Sequence, residues 1–291
     1  MRALGDPLEP HDARRLMNAL YLTARLDIAE SLRSRWFMFY SIVFGGIVVL
    51  LFVFGLTESR ILGFTGLSRL LVTYIQLCVA ILPVFILITT VRSVAGDRDA
   101  GVFEYMLSLP VPLYAWFWGK MLGRFVVVFL PVFGAMAVAA IYAALRGIEV
   151  DWSLFVLYTA LLVALAWAFL GIGMLISTLA RTPDVAQTGA FLTWLVLLLF
   201  LDLILLGLMV RERLPLELIV GIAVANPLQS FRTAAILLFD PQMVVLGPSS
   251  YVILDALGRS GYLTFALAYP IALGTLSAGV GYFLFRRGDL P

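Results

Sequence analysis

The sequence of 291 residues contains a single cysteine, a single histidine and a single lysine. Cys78 alone cannot form a disulfide within the chain, and His11 alone cannot supply a histidine metal cluster or a Ser–His–Asp triad. The one lysine, Lys120, is followed by methionine, whereas a Walker A loop places Ser or Thr after its lysine. We therefore expect no catalytic residue, no metal site and no bound cofactor in this chain.

Charged residues are also few. They make up 13% of the chain, against about a quarter in soluble domains, while hydrophobic residues reach 62%. Six apolar runs have the length of about 20 residues that a helix needs to cross a bilayer. We thus predict an all-α polytopic membrane protein, with a six-span permease-like domain in residues 36–291. The predicted spans are Trp36–Leu56, Leu67–Val91, Leu113–Leu145, Trp152–Leu179, Val185–Val210 and Tyr262–Phe285.

The polar segment of residues 1–35 precedes the first span. Its apolar residues from Met17 to Ile28 recur at helical spacing, and arginines lie elsewhere around the helix. This pattern is typical of an amphipathic helix at the membrane interface, with its arginines near anionic headgroups. A solvated helix would look similar, but the span that follows directly favours the interfacial position.

The distribution of basic residues predicts the orientation. With the N-terminus inside, 13 of the 20 Lys and Arg residues fall on the inner side. Because cytoplasmic loops are enriched in Lys and Arg, both termini and the segment of residues 92–112 are predicted to be cytoplasmic.

A long segment, residues 211–261, separates the fifth and sixth spans on the predicted outer side. Its pieces Leu214–Ala225 and Leu228–Phe239 flank Asn226-Pro227 and are too short to cross a bilayer. A third short piece follows at Ser249–Leu257. Because aliphatic residues dominate the first two pieces, we predict a re-entrant helical hairpin in the outer leaflet rather than a small external cap.

The polar segment with the clearest helical pattern lies between the second and third predicted spans. From Gly101 to Leu109 the apolar residues fall on one face of a helix, and Pro110 ends it because proline cannot donate the next backbone hydrogen bond. Asp97 and Asp99 precede this helix, where carboxylates suit the positive end of the helix dipole. The pattern indicates a helix against the membrane surface or a partner; a solvated loop fits the composition equally well.

The chain resembles the permeases of the ABC type-2 exporter family. The resemblance rests on this polar segment, the N-terminal helix, the six spans and the hairpin that Asn226-Pro227 divides. The first cytoplasmic loop of that family carries an acidic pair, glycine, glutamate, leucines, serine and proline, and then Gly-Lys. The matching residues here are Asp97, Asp99, Gly101, Val102, Glu104, Met106, Leu107, Ser108, Leu109, Pro110, Gly119 and Lys120.

The resemblance implies a function and partners. A separate cytoplasmic ATPase, in two copies on a dimer of this chain, would bind ATP and magnesium at a prokaryotic inner membrane. The helix of residues 101–109 would be the coupling helix that docks in the ATPase and passes its closure to the spans. The lipid bilayer is a further expected partner, and nucleic acid is not. The implied docking residues are Asp97, Asp99, Gly101, Val102, Phe103, Glu104, Tyr105, Met106, Ser108 and Pro110.

A narrower likeness concerns the NosY-like permeases of nitrous oxide reductase maturation systems. It rests on the coupling loop, on Arg33, Arg35 and Trp36 at the end of the N-terminal helix, and on Asn226-Pro227 with Phe231-Arg232. It implies a periplasmic partner protein and a role in copper-site maturation. Because the chain shows no thiolate or thioether cluster, partners would have to handle the copper.

Asp202 is the most conspicuous charge within a span. An intramembrane carboxylate is costly, which predicts a role in a pathway or dimer seam, or structural pairing with an outer arginine such as Arg211 or Arg213. Gln76 and Gln187 are weaker candidates for the pathway or seam. Three other classes stay open: a secondary transporter that uses Asp202, an intramembrane enzyme, and a scaffold subunit without transport.

Overall fold

The computed structural model describes residues 10–35, 37–47, 64–102, 111–145, 151–210, 215–239 and 249–288. All regular secondary structure in these ranges is helical. The helices are α1 (Pro10–Leu32), α2 (Phe37–Ile47), α3 (Phe64–Thr90), α4 (Arg92–Asp99), α5 (Leu113–Leu145), α6 (Trp152–Leu179), α7 (Pro183–Leu195, continued by the π-helical turn Val196–Phe200 and by Leu201–Val210), α8 (Leu216–Val224), α9 (Pro227–Phe239) and α10 (Ser249–Gly288).

Five of the described helices, α3, α5, α6, α7 and α10, are long and apolar enough to cross a membrane. They confirm the predicted all-α polytopic class. Helices α5 and α6 begin and end at the same residues as the third and fourth predicted spans. The first predicted span corresponds to α2 as far as Ile47, and the rest of that span lies outside the described residues. The total of six spans therefore stays a prediction.

Side-chain caps explain where several helices begin. Asp151 Oδ1 accepts the backbone N–H groups two and three residues further on, at 2.9 and 3.2 Å, and so starts α6. Thr182 caps α7 in the same way, and Asn226 Oδ1 accepts the N–H of Leu228 at the start of α9. These caps satisfy N–H groups that have no partner within their own helix.

Helix α6 lies at the centre of the bundle and is the most buried of the five long helices. It crosses α10 where Gly171 faces Gly274, and backbone atoms of the other helix fill the space that a Cβ would need at either position. Next to the crossing, Trp167 Nε1 donates to Thr275 Oγ1 at 3.0 Å. Small residues allow such close backbone approach in membrane helices, so α6 and α10 pack as one unit.

Helix α7 is the least buried of the five. Its large apolar side chains are exposed on several sides, including Phe191, Leu192, Val196, Leu199, Leu203 and Leu206. An apolar surface of this extent needs lipid or a second protein to cover it.

The three short pieces predicted within residues 211–261 differ in one respect from the helices of the structure. Two short helices, α8 and α9, occupy the two predicted arms of the hairpin and meet at Asn226. The third piece, Ser249–Leu257, is instead the first part of α10, which bends at Gly258 before the last predicted span. Gly258 has φ 65° and ψ 174°, a backbone conformation that glycine adopts at little cost.

Candidate docking site

The predicted docking stretch begins in α4 rather than after it. Asp97 and Asp99 were predicted to precede the coupling helix, and a separate helix that contains them was not predicted. Both residues belong to the last turn of α4, and the chain turns at Gly101, whose φ is 67°. Carboxylates are unfavourable at the negative end of a helix dipole, so the position of Asp97 requires a compensating cation.

Lys120 of α5 supplies that cation. Its ammonium group forms a salt bridge with Asp97 Oδ2 and also donates to the Ser93 carbonyl oxygen at 3.1 Å. The same ammonium group lies 4.9 Å from the ring centroid of Trp116, within range of a cation–π interaction. The only lysine of the chain therefore holds α4 against α5.

The remaining docking residues divide into two groups. Asp99 and Gly101 are exposed, and Val102 is half-buried and helical. The other residues of the predicted coupling helix, Phe103, Glu104, Tyr105, Met106, Ser108 and Pro110, lie outside the described residues.

The break between α3 and α4 exposes backbone groups that other helices bind. Arg124 Nη1 of α5 donates to the Thr89 carbonyl oxygen at 3.0 Å. On the other side of the break, Ser177 Oγ of α6 accepts the N–H groups of Val94 at 2.9 Å and Ala95 at 3.0 Å. Buried backbone groups need such partners, so the break is stabilised from two neighbouring helices.

Helix α4 in turn binds the end of α6. Arg98 donates to the carbonyl oxygens of Ala180 at 2.6 Å and Thr178 at 3.3 Å, beyond and within the last turn of α6. The final carbonyls of a helix have no partner within it, and a guanidinium group also suits the negative end of the dipole.

Helix α1 packs on α5 through two glycines. A Cβ on Gly119 would lie 2.8 Å from Thr23 Cβ, and one on Gly123 would lie 2.8 Å from the Ala24 carbonyl oxygen. These glycines are four residues apart, the spacing that brings membrane helices close together. The face of α1 that contacts α5 is thus small and polar, while the predicted apolar stripe is split, with Met17 and Tyr21 exposed.

Asp27 is the most buried charge in this contact. Its Oδ1 accepts from Arg124 Nε at 3.2 Å, and the Asp27 side chain is only 2% exposed. Burial raises the pKa of the Asp27 carboxyl above its usual range, while the nearby charges of Arg124 and Lys120 oppose that rise. We call Asp27, Asp97, Arg98, Lys120, Arg124 and Ser177 the polar junction. The junction joins α1, α4, α5 and α6 at the predicted cytoplasmic end.

A second polar contact lies at the opposite end of the bundle. Asp202 of α7 accepts from Gln229 Nε2 at 2.5 Å, and its other oxygen lies 3.8 Å from Arg232 Nη1. One turn earlier, Asn226 Nδ2 donates at 2.6 Å to the carbonyl oxygen of Leu197, within the π-helical turn. We call Asn226, Gln229 and Arg232 with their partners on α7 the outer latch. Asp202 is therefore paired with an arginine of α9; Arg211 and Arg213 lie outside the described residues.

The two glutamines predicted alongside Asp202 lie elsewhere. Gln76 is exposed on α3, and Gln187 is half-buried near the start of α7, at the other end of that helix from Asp202. In the part of the chain that the structure describes, no cluster of three or more His, Cys, Asp or Glu residues could hold a metal ion. Cys78 is buried among apolar residues of α3.

Sequence reasoning missed most of the polar junction. The Gly119-Lys-Met-Leu-Gly123 spacing was a usable signal for close helix packing. Asp27 was another, because it is a lone acid among the residues that form the face of α1 against α5. Ser177 carried no signal, since a serine near the end of a span usually bonds to its own helix.

These features define a polytopic helical membrane protein with the polar junction at one end of its helix bundle. A family model described as ABC-2 family transporter protein matches residues 21–290. The chain therefore belongs to the ABC-2 family and is a permease subunit of an ABC transporter. ABC-2 permeases work with an ATPase subunit and are not themselves enzymes.

Two similar proteins make the resemblance more specific within the ABC-2 family. The chain is 26% identical over 225 residues to the probable ABC transporter permease protein NosY of Stutzerimonas stutzeri, an alignment that covers 74% of this chain and 80% of the relative. It is 25% identical over 231 residues to the protein of the same name from Pseudomonas aeruginosa, covering 77% of this chain and 84% of the relative. The likeness to NosY permeases predicted from the sequence is thereby confirmed.

Proposed function

We propose that two copies of this chain form a transmembrane pathway and that two copies of a cytoplasmic ATPase dock on residues 97–110. ATP and magnesium bind to the ATPase, and the permease converts its closure into a change of helix packing. The polar junction carries this proposal, because it ties the residues next to the docking stretch to four helices.

The junction is suited to transmit force because its charges are paired and largely shielded from solvent. Lys120 is 12% exposed and Asp97 24% exposed in their salt bridge. Buried charges lose much of their stabilisation when separated by even a small distance, so α4 cannot shift alone without a large penalty. A push on residues 97–102 therefore moves α4 together with α5 and α6.

ATP can drive the change only through differential binding. If the ATPase dimer binds one arrangement of the docking segments more tightly than the other, the populations of the two permease conformations shift by that difference and no more. We propose export or signalling across the membrane as the output of this shift.

The exposed apolar surface of α7 supports the proposed dimer. Because this helix is the least covered of the five long ones, we propose that a second copy packs along it, with Asp202 near the seam. Gln187 on the same helix and Gln76 on α3 are the weaker candidates for contacts along the pathway.

We propose a prokaryotic inner membrane as the location, with both termini in the cytoplasm. The basic residues of the junction support this orientation, since Arg98, Lys120 and Arg124 all lie at the same end of the bundle. We further propose, from the likeness to NosY permeases, a periplasmic partner and a role in copper-site maturation in which partner proteins handle the metal.

Purification from the native membrane tests the proposal. The chain should co-purify with a Walker-motif ATPase in equal amounts, and the complex should hydrolyse ATP. Phe103→Asp and Glu104→Arg should release the ATPase, whereas Glu217→Arg, an exposed acid on α8 at the opposite end, should retain it. Recovery of the wild-type chain as a stable species without ATPase would refute the docking proposal and return attention to ion coupling through Asp202.

A further inference from the structure

Helix α3 and helix α4 would form one continuous helix if the backbone were not interrupted near Val91. The N–H of Val91 still donates to the Leu87 carbonyl oxygen at 2.9 Å, and α4 begins at Arg92. In an uninterrupted helix, the N–H groups of Val94 and Ala95 would bond to carbonyls four residues earlier. Here both donate to Ser177 Oγ, a hydroxyl from another helix.

This arrangement is an insertion of a side chain at a helix break. A foreign group that enters the backbone ladder is one of the few physical causes of a helix break or kink, and Val91 at this break has φ −65° and ψ −16°. Ser177 is fully buried, so water cannot replace its hydroxyl as the acceptor of these two N–H groups. Ser177 Oγ therefore helps to fix the direction of α4 relative to α3, together with the contacts of Lys120 and Arg98.

The contact between α4 and α6 is reciprocal. Ser177 of α6 accepts hydrogen bonds from the first turns of α4, and Arg98 of α4 donates to the terminal carbonyls of α6. One turn before Ser177, Gly173 leaves only enough room for Thr90, because a Cβ there would lie 3.1 Å from Thr90 Cβ. Helix α4 is thus fixed to α6 at both of its ends.

Helix α6 is in turn fixed to α10 at the Gly171–Gly274 crossing. A displacement of α4 therefore passes to α6 and α10, while the break at Val91 lets α3 bend. We propose that Ser177 is a positioning residue for coupling: its hydroxyl keeps the α3–α4 break open and, together with Arg98, directs movement of the docking segment into the α6–α10 unit rather than along α3. This inference rests on the proposed function, because it requires an ATPase at the docking segment.

The variant Ser177→Ala is expected to keep the fold and to lose activation of the ATPase. In Ser177→Ala, the two N–H groups lose their acceptor, but they regain carbonyl partners if α3 and α4 straighten into one helix. The fold then persists while α4 points in a new direction. Binding of the ATPase is expected to survive, and its activation by the permease is expected to fall.

The neighbouring residue offers a matched control. Thr178 is also buried, but its Oγ1 donates at 2.9 Å to the Met174 carbonyl oxygen of its own helix. Thr178→Ala therefore removes a buried hydroxyl from the same turn without touching α4. Arg98→Ala would remove the opposite half of the reciprocal contact, but Arg98 lies within the docking stretch, so Ser177→Ala is the variant that separates coupling from docking.

The experiment uses the purified complex of the full chain with its ATPase, in lipid nanodiscs. ATPase stoichiometry, turnover number and thermal midpoint are measured for each variant. Ser177→Ala should retain the ATPase and lower its turnover number by roughly threefold or more, the scale of mutations that modulate coupling. Thr178→Ala should match the wild type in turnover number.

Each contrary outcome has a distinct meaning. A wild-type chain that binds no ATPase refutes the proposed function itself. If Ser177→Ala binds ATPase and turns over at the wild-type rate, the role of Ser177 is refuted and the proposed function stands. Loss of ATPase binding in Ser177→Ala also overturns the inference, because Ser177 would then support docking rather than direct the movement.

Discussion

The two ends of the bundle hold their helices together by different physical means. At the polar junction, Asp27 and Arg124 are 2% and 19% exposed. At the outer latch, Asp202 and Arg232 are 34% and 35% exposed, and their closest approach is 3.8 Å. A buried ion pair is costly to separate, whereas a half-exposed one exchanges readily with solvent.

This difference fits the proposed function, in which the junction transmits force and the opposite end of the bundle opens. The junction must carry force without yielding, so its helices are tied by buried charges and by close glycine contacts. The outer latch must let α9 and α7 separate if a pathway opens at that end. It combines a weak ion pair with hydrogen bonds, one of them to a π-helical turn, a local structure that often marks functional sites.

The largest expected effect is at Arg124. Arg124→Ala leaves Asp27 as a buried carboxylate without its cation, and it removes the donor to the Thr89 carbonyl oxygen. The free energy of unfolding should fall by about 3–5 kcal/mol, the usual cost of breaking a buried pair. Thermal unfolding in nanodiscs measures the loss. The double variant Asp27→Asn with Arg124→Ala should recover part of it, and no recovery would mean that the pairing matters little.

Gly123 should show the next largest effect. Gly123→Ala places a Cβ 2.8 Å from the Ala24 carbonyl oxygen, which forces α1 away from α5 and should cost about 1–3 kcal/mol. Limited proteolysis of α1 and thermal unfolding report the change. On the same helix, Gly134 has no atom within 4 Å of a Cβ. Gly134→Ala should therefore be neutral or slightly stabilising, because alanine favours a helix more than glycine does.

The pH response of the junction is a subtler test. Because burial raises the pKa of Asp27 in the folded chain, the folded state binds this proton more readily than the unfolded state. Its contribution is fully present below the ordinary aspartate pKa of about 3.9 and is lost as the pH rises through the folded-state pKa. The thermal midpoints of the wild type and of Asp27→Asn should be compared as the pH rises from below the ordinary aspartate pKa to above the folded-state pKa of Asp27. The midpoint of the wild type should fall relative to that of the variant. A constant difference would contradict it.

The smallest effect is expected at the outer latch. Arg232→Ala removes a half-exposed partner of Asp202 and should change the free energy of unfolding by at most about 1 kcal/mol. Thermal unfolding checks this value against Arg124→Ala. A loss as large as that of Arg124→Ala would show that the two ends are equally rigid and would remove the contrast between them.

Much of the fold could be predicted because helix length in a membrane follows from bilayer thickness. The bounds of α5 and α6 coincide with apolar runs, since few polar residues interrupt them and Asp151 marks a start. The arms α8 and α9 were also predictable, because Asn226-Pro227 supplies a cap and a first-turn proline. In these places local sequence and final structure agree.

The contacts of the polar junction and the outer latch could not be predicted in this way. Asp97 was predicted to precede a helix, whereas it lies in the last turn of α4, a polar helix that contacts α5 and α6. The roles of Ser177 and Asn226 depend on backbone groups about 80 and 29 residues away along the chain. Periodicity describes one helix at a time and carries no information about which distant helix lies beside it.

The crossing of α6 and α10 also has a mechanical consequence. Gly171 lies eight residues from the junction end of α6 and nineteen from its other end, so the arms measure about 12 Å and about 28 Å at a rise of 1.5 Å per residue. If the α6–α10 unit turns about this point, the crossing acts as a fulcrum. A small displacement at the short arm then appears reversed in direction and more than doubled at the long arm. An unequal lever of this kind would let a slight movement beneath the membrane open a wider gap on its far side.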